Sequence, residues 1–237
     1  MNYIFSTGLP RSGTALLTKA LYESNQASLA VGPNVEIYRF FRNKLIKKYG
    51  SKSLKKKNKI FSPFQDYFGS LENQELLNLM LKGSLSEKFD KKDWKLFLHK
   101  SQKKTDHDSA DLIKYFPKLK ADSFKNIILN LIKIIKKKRK LRRTAKNKKF
   151  YYGFHETWNI CSLNTLSKSF PKAKFFVVIR DPRSVYASLS KNAETRTELR
   201  VQLLSFCRHF RKYIILSNYF LSLPAMKKRL MIIKYED

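Results

Sequence analysis

A ten-residue segment near the start of the chain, STGLPRSGTA (6–15), combines two glycines, several hydroxyl side chains and one cation. It follows the apolar run 3–5 and precedes the helix-like run 16–21. A strand, a glycine-containing turn and a helix start in this order direct backbone N–H groups and the positive end of the helix dipole at one point. Gly8 and Gly13 leave room for the close approach of an oxyanion. The segment therefore predicts a binding site for a phosphate or sulfate group.

The spacing of the two glycines, Gly-x4-Gly, matches the first half of the phosphate loop of ATP- and GTP-hydrolysing proteins, but the second half differs. In that loop Lys and then Ser or Thr follow the second glycine, whereas Thr14 and Ala15 follow it here. The cation lies inside the loop instead, at Arg11. The loop is therefore predicted to bind phosphate or sulfate but to suit magnesium-dependent ATP hydrolysis poorly. A nucleotide kinase-like phosphotransferase is accordingly the less favoured interpretation.

A second candidate anion site lies nearer the end of the chain, in KFFVVIRDPRSVYASLSK (174–191). Its first six residues are rich in β-branched and aromatic types and predict a buried strand. We expect the strand to end near Arg180, and Pro182 suits the first turn of a following helix. Arg180 and Ser188 are eight residues apart. The strand end and the helix can therefore present both side chains to one anion.

Together the two segments resemble the anion-binding motifs of the PAPS-dependent sulfotransferases. In that family a PRSGT-type loop binds the 5′-phosphosulfate of the donor PAPS, and an R-x7-S element binds its 3′-phosphate. The matching residues are Pro10, Arg11, Ser12, Gly13 and Thr14 in the loop and Arg180 and Ser188 in the second element. The closing run 230–237 also resembles the final strand of the family, which ends in YED.

The resemblance implies that PAPS is the donor, that PAP is the product and that no metal is required. It also implies that Arg11 contacts the sulfuryl group, while Ser12, Gly13 and Thr14 supply N–H and hydroxyl donors. Ala15 stands where a second Thr is common in the family, so we expect one phosphate contact to be missing. Arg183 is a weaker candidate for the 3′-phosphate site, and a solvent-facing position is favoured for it.

An acceptor hydroxyl needs a general base, and two residues are candidates. Glu36 follows a Gly-Pro turn, and relatives with a PRSGT loop carry a Glu shortly after the first helix. The alternative for Glu36 is a surface carboxylate at the start of its own helix. His155 follows the predicted strand 150–154, where many relatives have Lys. It could replace that cation, act as the base or be a structural histidine.

Strand-like and helix-like runs alternate along the chain. This pattern predicts an α/β fold with a mostly parallel central sheet flanked by helices, similar to P-loop nucleotide-binding proteins. The predicted strands are 3–5, 28–31, 150–154, 174–179 and 229–235. Ligands of such sheets bind beyond the carboxyl ends of the strands. Because both anion motifs follow strands, we expect them at the same edge.

The 237 residues are interpreted as a single sulfotransferase-like domain, 1–237, with a helical, Lys-rich insertion at about 50–149. Helices are predicted near 35–48, 71–82, 86–100, 123–145, 157–169, 183–190 and 194–221. In the family such inserted helices often shape the acceptor pocket, so the two motifs alone do not identify the acceptor.

The formal net charge is +32, from 50 Lys and Arg against 18 Asp and Glu. This charge attracts polyanions such as nucleic acid, anionic lipid headgroups or acidic glycans, although drift in an AT-rich genome would give the same composition. The basic run 133–149 continues an apolar helical stripe. It predicts either an amphipathic helix that docks on an anionic surface or a solvated helix end. It contains no aromatic residue, which disfavours a specific nucleic-acid partner.

Other features bear on the location of the protein. No run of about 18 apolar residues predicts a transmembrane helix, and Met1 leads almost directly into the first strand without a signal-like segment. Cys161 and Cys207 lack metal-ligand spacing and are interpreted as buried thiols in a reducing cytoplasm, with a single disulfide as the alternative. The predicted location is cytoplasmic, with peripheral contact with a membrane as a further option.

The residues and the resemblance favour an enzyme that moves a sulfuryl group from PAPS to a hydroxyl or amine of a carbohydrate, lipid or other small acceptor. Two further alternatives stay open. The chain could be a degenerate sulfotransferase, since Ala15 and His155 depart from the family pattern, or a non-enzymatic basic protein that binds polyanions.

Overall fold

The structure is a computed structural model, and it describes residues 1–23, 26–31, 123–138, 150–191 and 196–235. Several predictions fall outside these residues and stay predictions: the helices at 35–48, 71–82 and 86–100, the general-base candidate Glu36 and the basic segment 139–149.

Five described strands form one sheet: β1 (Asn2–Gly8), β2 (Ala27–Val31), β3 (Tyr151–His155), β4 (Lys174–Arg180) and β5 (Leu230–Tyr235). Their spatial order is β2-β3-β1-β4-β5, and each neighbouring pair is parallel. The predicted α/β fold with a parallel sheet is therefore confirmed. Because β1 is central, its carboxyl end has a neighbour on each side: Ser6 pairs with His155 of β3, and Gly8 pairs with Val178 of β4.

Helices connect and cover the strands. They are α1 (Thr14–Glu23), α2 (Phe124–Lys138), α3 (Leu163–Ser169), α4 (Pro182–Ser190), α5 (Arg196–Ser222) and α6 (Pro224–Lys227). The predicted helix 157–169 is divided, because a 3-10 helix at Thr157–Ser162 precedes α3. The sequence does not predict α6, since four residues are too few for helical periodicity to show.

The main core lies on one face of the sheet. The rings of Phe5, Phe154 and Phe175 are fully buried and lie side by side on β1, β3 and β4. Helix α2 contributes an apolar stripe to the same core, formed by Phe124, Ile127, Ile128, Leu131 and Ile132. Their spacing of three and four residues places them on one side of the helix. Each such buried side chain contributes about 1.5–3 kcal/mol.

A second, smaller core lies on the opposite face. Ile4, Ala27 and Leu29 are buried there, and Leu21 of α1 packs against them. Successive residues of a strand point to opposite faces, so Ile4 enters this core while Phe5 enters the main one. Strand β1 is therefore held from both faces, and the position of the loop that follows it is fixed.

Two observations bear on the predicted location and thiols. Cys207 is exposed on α5 and is a free thiol, so the expectation of a buried thiol is wrong at this position. It lies on the outward side of the helix, next to the exposed Arg208. In the described part of the chain, no helix is both long and apolar enough to cross a membrane.

Candidate functional site

The loop after β1 makes a sharp turn before α1 begins. Arg11 has a φ of 68° and Gly13 a φ of 90°, a left-handed region that is common for glycine and uncommon for arginine. The hydroxyl and the backbone N–H of Ser12 both donate to the carbonyl oxygen of Leu9, at 2.6 and 3.1 Å. Ser12 is buried, so these bonds close the turn from inside. Strained residues that the surrounding structure holds in place cluster at functional sites.

The loop residues predicted to donate hydrogen bonds divide into two groups. Both donors of Ser12 are used within the loop, whereas Gly13 and Thr14 lie where α1 starts. The first N–H groups of a helix have no partner within the helix, and the dipole places partial positive charge there. The start of α1 is therefore the part of the loop best suited to an oxyanion. Pro10 and Ala15 are exposed.

Both glycines of the loop lie so close to neighbouring atoms that a side chain at either position would collide with them. A β-carbon at Gly8 would clash with the methyl group of Thr14 and approach Ser12 Oγ to 2.9 Å. A β-carbon at Gly13 would come within 2.5 Å of the Tyr235 ring. The sequence suggests that these glycines leave room for an oxyanion. In the structure the space beside them is filled by the loop itself and by the end of β5.

The second motif begins where β4 ends. Arg180 is the last residue of β4, and α4 starts at Pro182, as predicted. Asp181 caps α4, because its carboxylate accepts from the backbone N–H of Arg183 at 2.7 Å. The Arg183 guanidinium pairs with the same carboxylate at 2.6 Å and is 90% exposed. These hydrogen bonds from Arg183 lower the pKa of Asp181 to about 2. Arg183 is thus committed to a surface ion pair.

The two motifs meet at the carboxyl edge of the sheet, as predicted from their positions after strands. Arg11 Nε donates to Ser188 Oγ at 2.9 Å. Arg180 Nη1 donates to the backbone carbonyl of Arg11 at 3.3 Å. We call Arg11, Arg180 and Ser188 the arginine cluster. It brings together, at the edge of the sheet where α1 starts, two guanidinium groups, which bind phosphate and sulfate through pairs of N–H donors.

Tyr235, the last residue of β5, contacts both motifs. Its ring centroid lies 5.0 Å from Arg180 Cζ, and the ring also packs against Gly13. The sequence motifs identify this residue only as part of the closing strand. The signal that finds it is the register, because Arg180 and Tyr235 are directly paired in the parallel ladder of β4 and β5.

His155 lies at the end of β3 and is only 6% exposed. Its Nδ1 is 3.0 Å from Ser6 Oγ. Burial lowers the pKa of His155 to about 4, against an opposing effect of a backbone hydrogen bond with Ser6. The imidazole is therefore neutral at pH 7. A neutral ring does not supply the positive charge of the Lys that many relatives carry at this place.

A buried polar network next to His155 was not predicted from the sequence. Thr7 Oγ1 donates to the carbonyl of Thr157 at 2.9 Å, and the hydroxyl of Tyr213 on α5 donates to Thr7 Oγ1. Asn159 Nδ2 donates to the carbonyl of Ser6 at 2.9 Å. The network ties the ends of β1 and β3 to the 3-10 helix and to α5. It thereby fixes the end of β1, from which the loop 9–13 starts.

A cavity of about 420 Å³ opens beside the arginine cluster. Its walls come from the ends of β4 and β5, the start of α4 and Phe210 of α5, and they include Arg180, Lys234 and Tyr235. This volume lies within the usual range of small-molecule sites, about 300–1,000 Å³. Another cavity, of about 440 Å³, lies at the amino ends of the strands, where Ala27, Tyr151, Lys174 and Leu230 line it. It is on the opposite edge from the arginine cluster.

A parallel sheet whose first strand leads through a glycine-containing loop into a helix, with a second cationic motif at the same edge, defines an α/β protein of the P-loop-like class. The match to a family model is more specific. The model of the sulfotransferase family matches residues 3–237, and the chain therefore belongs to the sulfotransferase family. This membership supports a sulfotransferase, and hence a transferase, activity. No curated protein sequence matches the chain significantly.

Proposed function

We propose that this protein transfers a sulfuryl group from PAPS to a hydroxyl or amine of a carbohydrate, lipid or other small acceptor. The observation that carries the proposal is the hydrogen bond of 2.9 Å between Arg11 and Ser188. It brings together two motifs that the family uses for the two anionic ends of one donor molecule. Two motifs held this close bind a donor with anions at both ends in one orientation, which lowers the entropic cost of reaction.

The residues at this edge fit the donor chemically. Arg180 and Ser188 offer a guanidinium and a hydroxyl to the 3′-phosphate, and charge-assisted bonds of this type are among the strongest in proteins. The start of α1 offers backbone N–H groups and a favourable dipole to the 5′-phosphosulfate. The cavity beside Arg180 leaves space for the remainder of the nucleotide.

When bound, PAPS supplies the sulfuryl group, and PAP is the product. Arg11 and the first N–H groups of α1 stabilise the negative charge that develops as the bond to the sulfuryl group breaks. A general base accepts the proton of the acceptor. Glu36 is the proposed base, since a carboxylate is ionised at pH 7. His155 is the second candidate, but a pKa of about 4 makes its ring a weak base.

The acceptor is proposed to bind next to this edge, in contact with residues of the helical insertion. A basic surface favours an acceptor or a membrane surface that carries negative charge. Among the described residues of the basic run, Lys133 and Lys137 on α2 are exposed. This part of the proposal is independent of the donor site.

Thermal unfolding tests the proposal against its rivals. PAP is expected to raise the unfolding temperature, because a ligand that binds only the native state stabilises it, whereas ATP with magnesium is expected to leave it unchanged. The opposite result would favour a nucleotide kinase-like phosphotransferase. A simple polyanion-binding protein would respond to polyphosphate equally before and after Arg11→Gln and Arg180→Gln substitution. Binding of PAP without release of PAP from PAPS in the presence of acceptor mixtures would favour a degenerate sulfotransferase.

A further inference from the structure

We propose that Tyr235 is a positioning residue that holds the two anion motifs in their binding geometry. The inference rests on the proposed function, because it concerns the same donor site. Tyr235 belongs to neither motif, yet its ring contacts Gly13 of the first and Arg180 of the second.

The contact with Arg180 is a cation–π interaction. The register of β4 and β5 pairs Arg180 with Tyr235, and the guanidinium carbon lies 5.0 Å from the ring centroid. Cations within about 6 Å of an aromatic centroid are attracted to the ring. The ring thus restricts the guanidinium to the orientation in which Nη1 donates to the carbonyl of Arg11 at 3.3 Å. Arg180 is thereby held in place before an anion arrives.

The contact with Gly13 is steric. A β-carbon at Gly13 would lie 2.5, 2.9 and 3.0 Å from three atoms of the ring. The glycine backbone therefore rests directly against the ring, at the point where its φ of 90° turns the chain into α1. The ring supports the turn that aims the first N–H groups of α1. A smaller side chain at 235 would leave a gap beneath this turn, and the turn would lose its contact.

A single side chain therefore couples the two ends of the donor site. Tyr235 is half-buried and lines the cavity of about 420 Å³ next to the cluster, so it is not simply part of the main core. Both contacts use the ring face and edge and neither uses the hydroxyl. Phenylalanine at position 235 should therefore keep both contacts, whereas leucine should lose them.

The chain offers a matched control outside the site. Tyr152 on β3 lies under Lys136 of α2, with Nζ 5.2 Å from the ring centroid. This pair is also a cation–π contact at a similar distance, with Lys in the place of Arg, and it is built from residues outside both anion motifs. A loss of stability common to both pairs can thus be separated from a loss of anion binding specific to Tyr235.

The experiment compares the wild type with Tyr235→Leu, Tyr235→Phe and Tyr152→Leu by calorimetric titration with PAP and, in parallel, with inorganic pyrophosphate. Circular dichroism melting confirms that each variant is folded at the titration temperature. Tyr235→Leu is expected to weaken anion binding by about tenfold, in keeping with a partly desolvated cation–π contact. Tyr235→Phe and Tyr152→Leu are expected to remain within about twofold of the wild type.

Two results would overturn the inference: wild-type affinity in Tyr235→Leu, or an equal loss in Tyr235→Leu and Tyr152→Leu. Wild-type protein that binds pyrophosphate but not PAP would contradict the proposed donor instead. The comparison of variants with pyrophosphate would then still decide the role of Tyr235. The two failures are therefore distinguishable in one set of titrations.

Discussion

Arg11 Nε donates a hydrogen bond of 2.9 Å to Ser188 Oγ, across the edge of the sheet where β1 and β4 end. The family resemblance assigns Arg11 to the sulfuryl end of the donor and Ser188 to its 3′-phosphate. In the proposed donor site the two sub-sites therefore adjoin, and the Arg11 side chain reaches the second of them. A donor with both anionic groups should therefore bind much better than one with a single group.

The first prediction concerns Ser188. Ser188→Ala is expected to weaken PAP binding by about tenfold, because a hydrogen bond to a charged group is lost. The same variant should bind adenosine 5′-phosphate as the wild type does, since that ligand has no 3′-phosphate. Calorimetric titration with both ligands measures the two affinities. Ser190→Ala is the control, because the Ser190 hydroxyl donates to the carbonyl of Ala187 on the same helix. Equal losses for both ligands would show that Ser188 acts through Arg11 or through the fold of α4, and not on the 3′-phosphate.

The second prediction concerns the paired N–H donors of the planar Arg180 guanidinium. Arg180→Lys keeps the charge but removes the planar pair of donors, so PAP binding is expected to weaken by about tenfold or more. The salt dependence of binding should change little, because the number of cations is unchanged. Arg183→Gln is the control, since Arg183 is 90% exposed and paired with Asp181. An effect of Arg183→Gln as large as that of Arg180→Lys would place the 3′-phosphate elsewhere on α4.

The third prediction is a gain of affinity at Ala15. This residue is exposed in the first turn of α1, where a hydroxyl is common in the family. Ala15→Thr is expected to tighten PAP binding by about three- to tenfold through one added hydrogen bond to a charged oxygen. Ala15→Val has the same shape without the hydroxyl and should not tighten binding. Equal binding by both variants would mean that the donor oxyanion lies beyond the reach of residue 15.

The fourth prediction follows from the buried imidazole of His155. Its pKa is about 4 in the folded protein and about 6.5 in the unfolded chain. The unfolded chain therefore takes up a proton at a pH where the native protein does not. The contribution to stability is fully present above pH 6.5 and is lost as the pH falls toward 4. A shift of this size corresponds to about 3 kcal/mol.

Urea unfolding at several pH values between about 7 and 4 measures this loss. His155→Gln is expected to show a much flatter dependence over the same interval. The ion pair of Asp181 with Arg183 interferes little, because the pKa of Asp181 is about 2 in the folded protein and about 3.9 in the unfolded chain, so most of its effect on stability falls below pH 4. A wild type whose stability is constant down to pH 4 would mean that His155 is protonated without cost, and so is not buried as described.

Much of the fold could be predicted from local sequence patterns. Runs of β-branched and aromatic residues marked the strands, and the position of both motifs after strands gave the shared edge. Local patterns could not reveal contacts between distant residues. The bond between Ser6 and His155 joins positions 149 residues apart, and the burial that accompanies this packing is what keeps the imidazole neutral.

The loop shows the same division between local and tertiary information. The residue types of PRSGT predicted an anion site, but not which donors remain for the anion. Both hydrogen-bond donors of Ser12 bind the carbonyl oxygen of Leu9, and the Tyr235 ring fills the space beside Gly13. The first fact depends on how the turn folds. The second depends on β5, because Gly13 and Tyr235 are 222 residues apart in the chain.

In the proposed donor site both anion motifs bind one PAP-type nucleotide. The decisive measurement is calorimetric titration of PAP into the wild type and into the double variant Arg11→Gln/Arg180→Gln. We expect saturable binding to the wild type and a loss of about a hundredfold or more in the double variant, because two charge-assisted contacts are removed. No saturable binding to the wild type, or equal binding to both proteins, would contradict the proposed donor site.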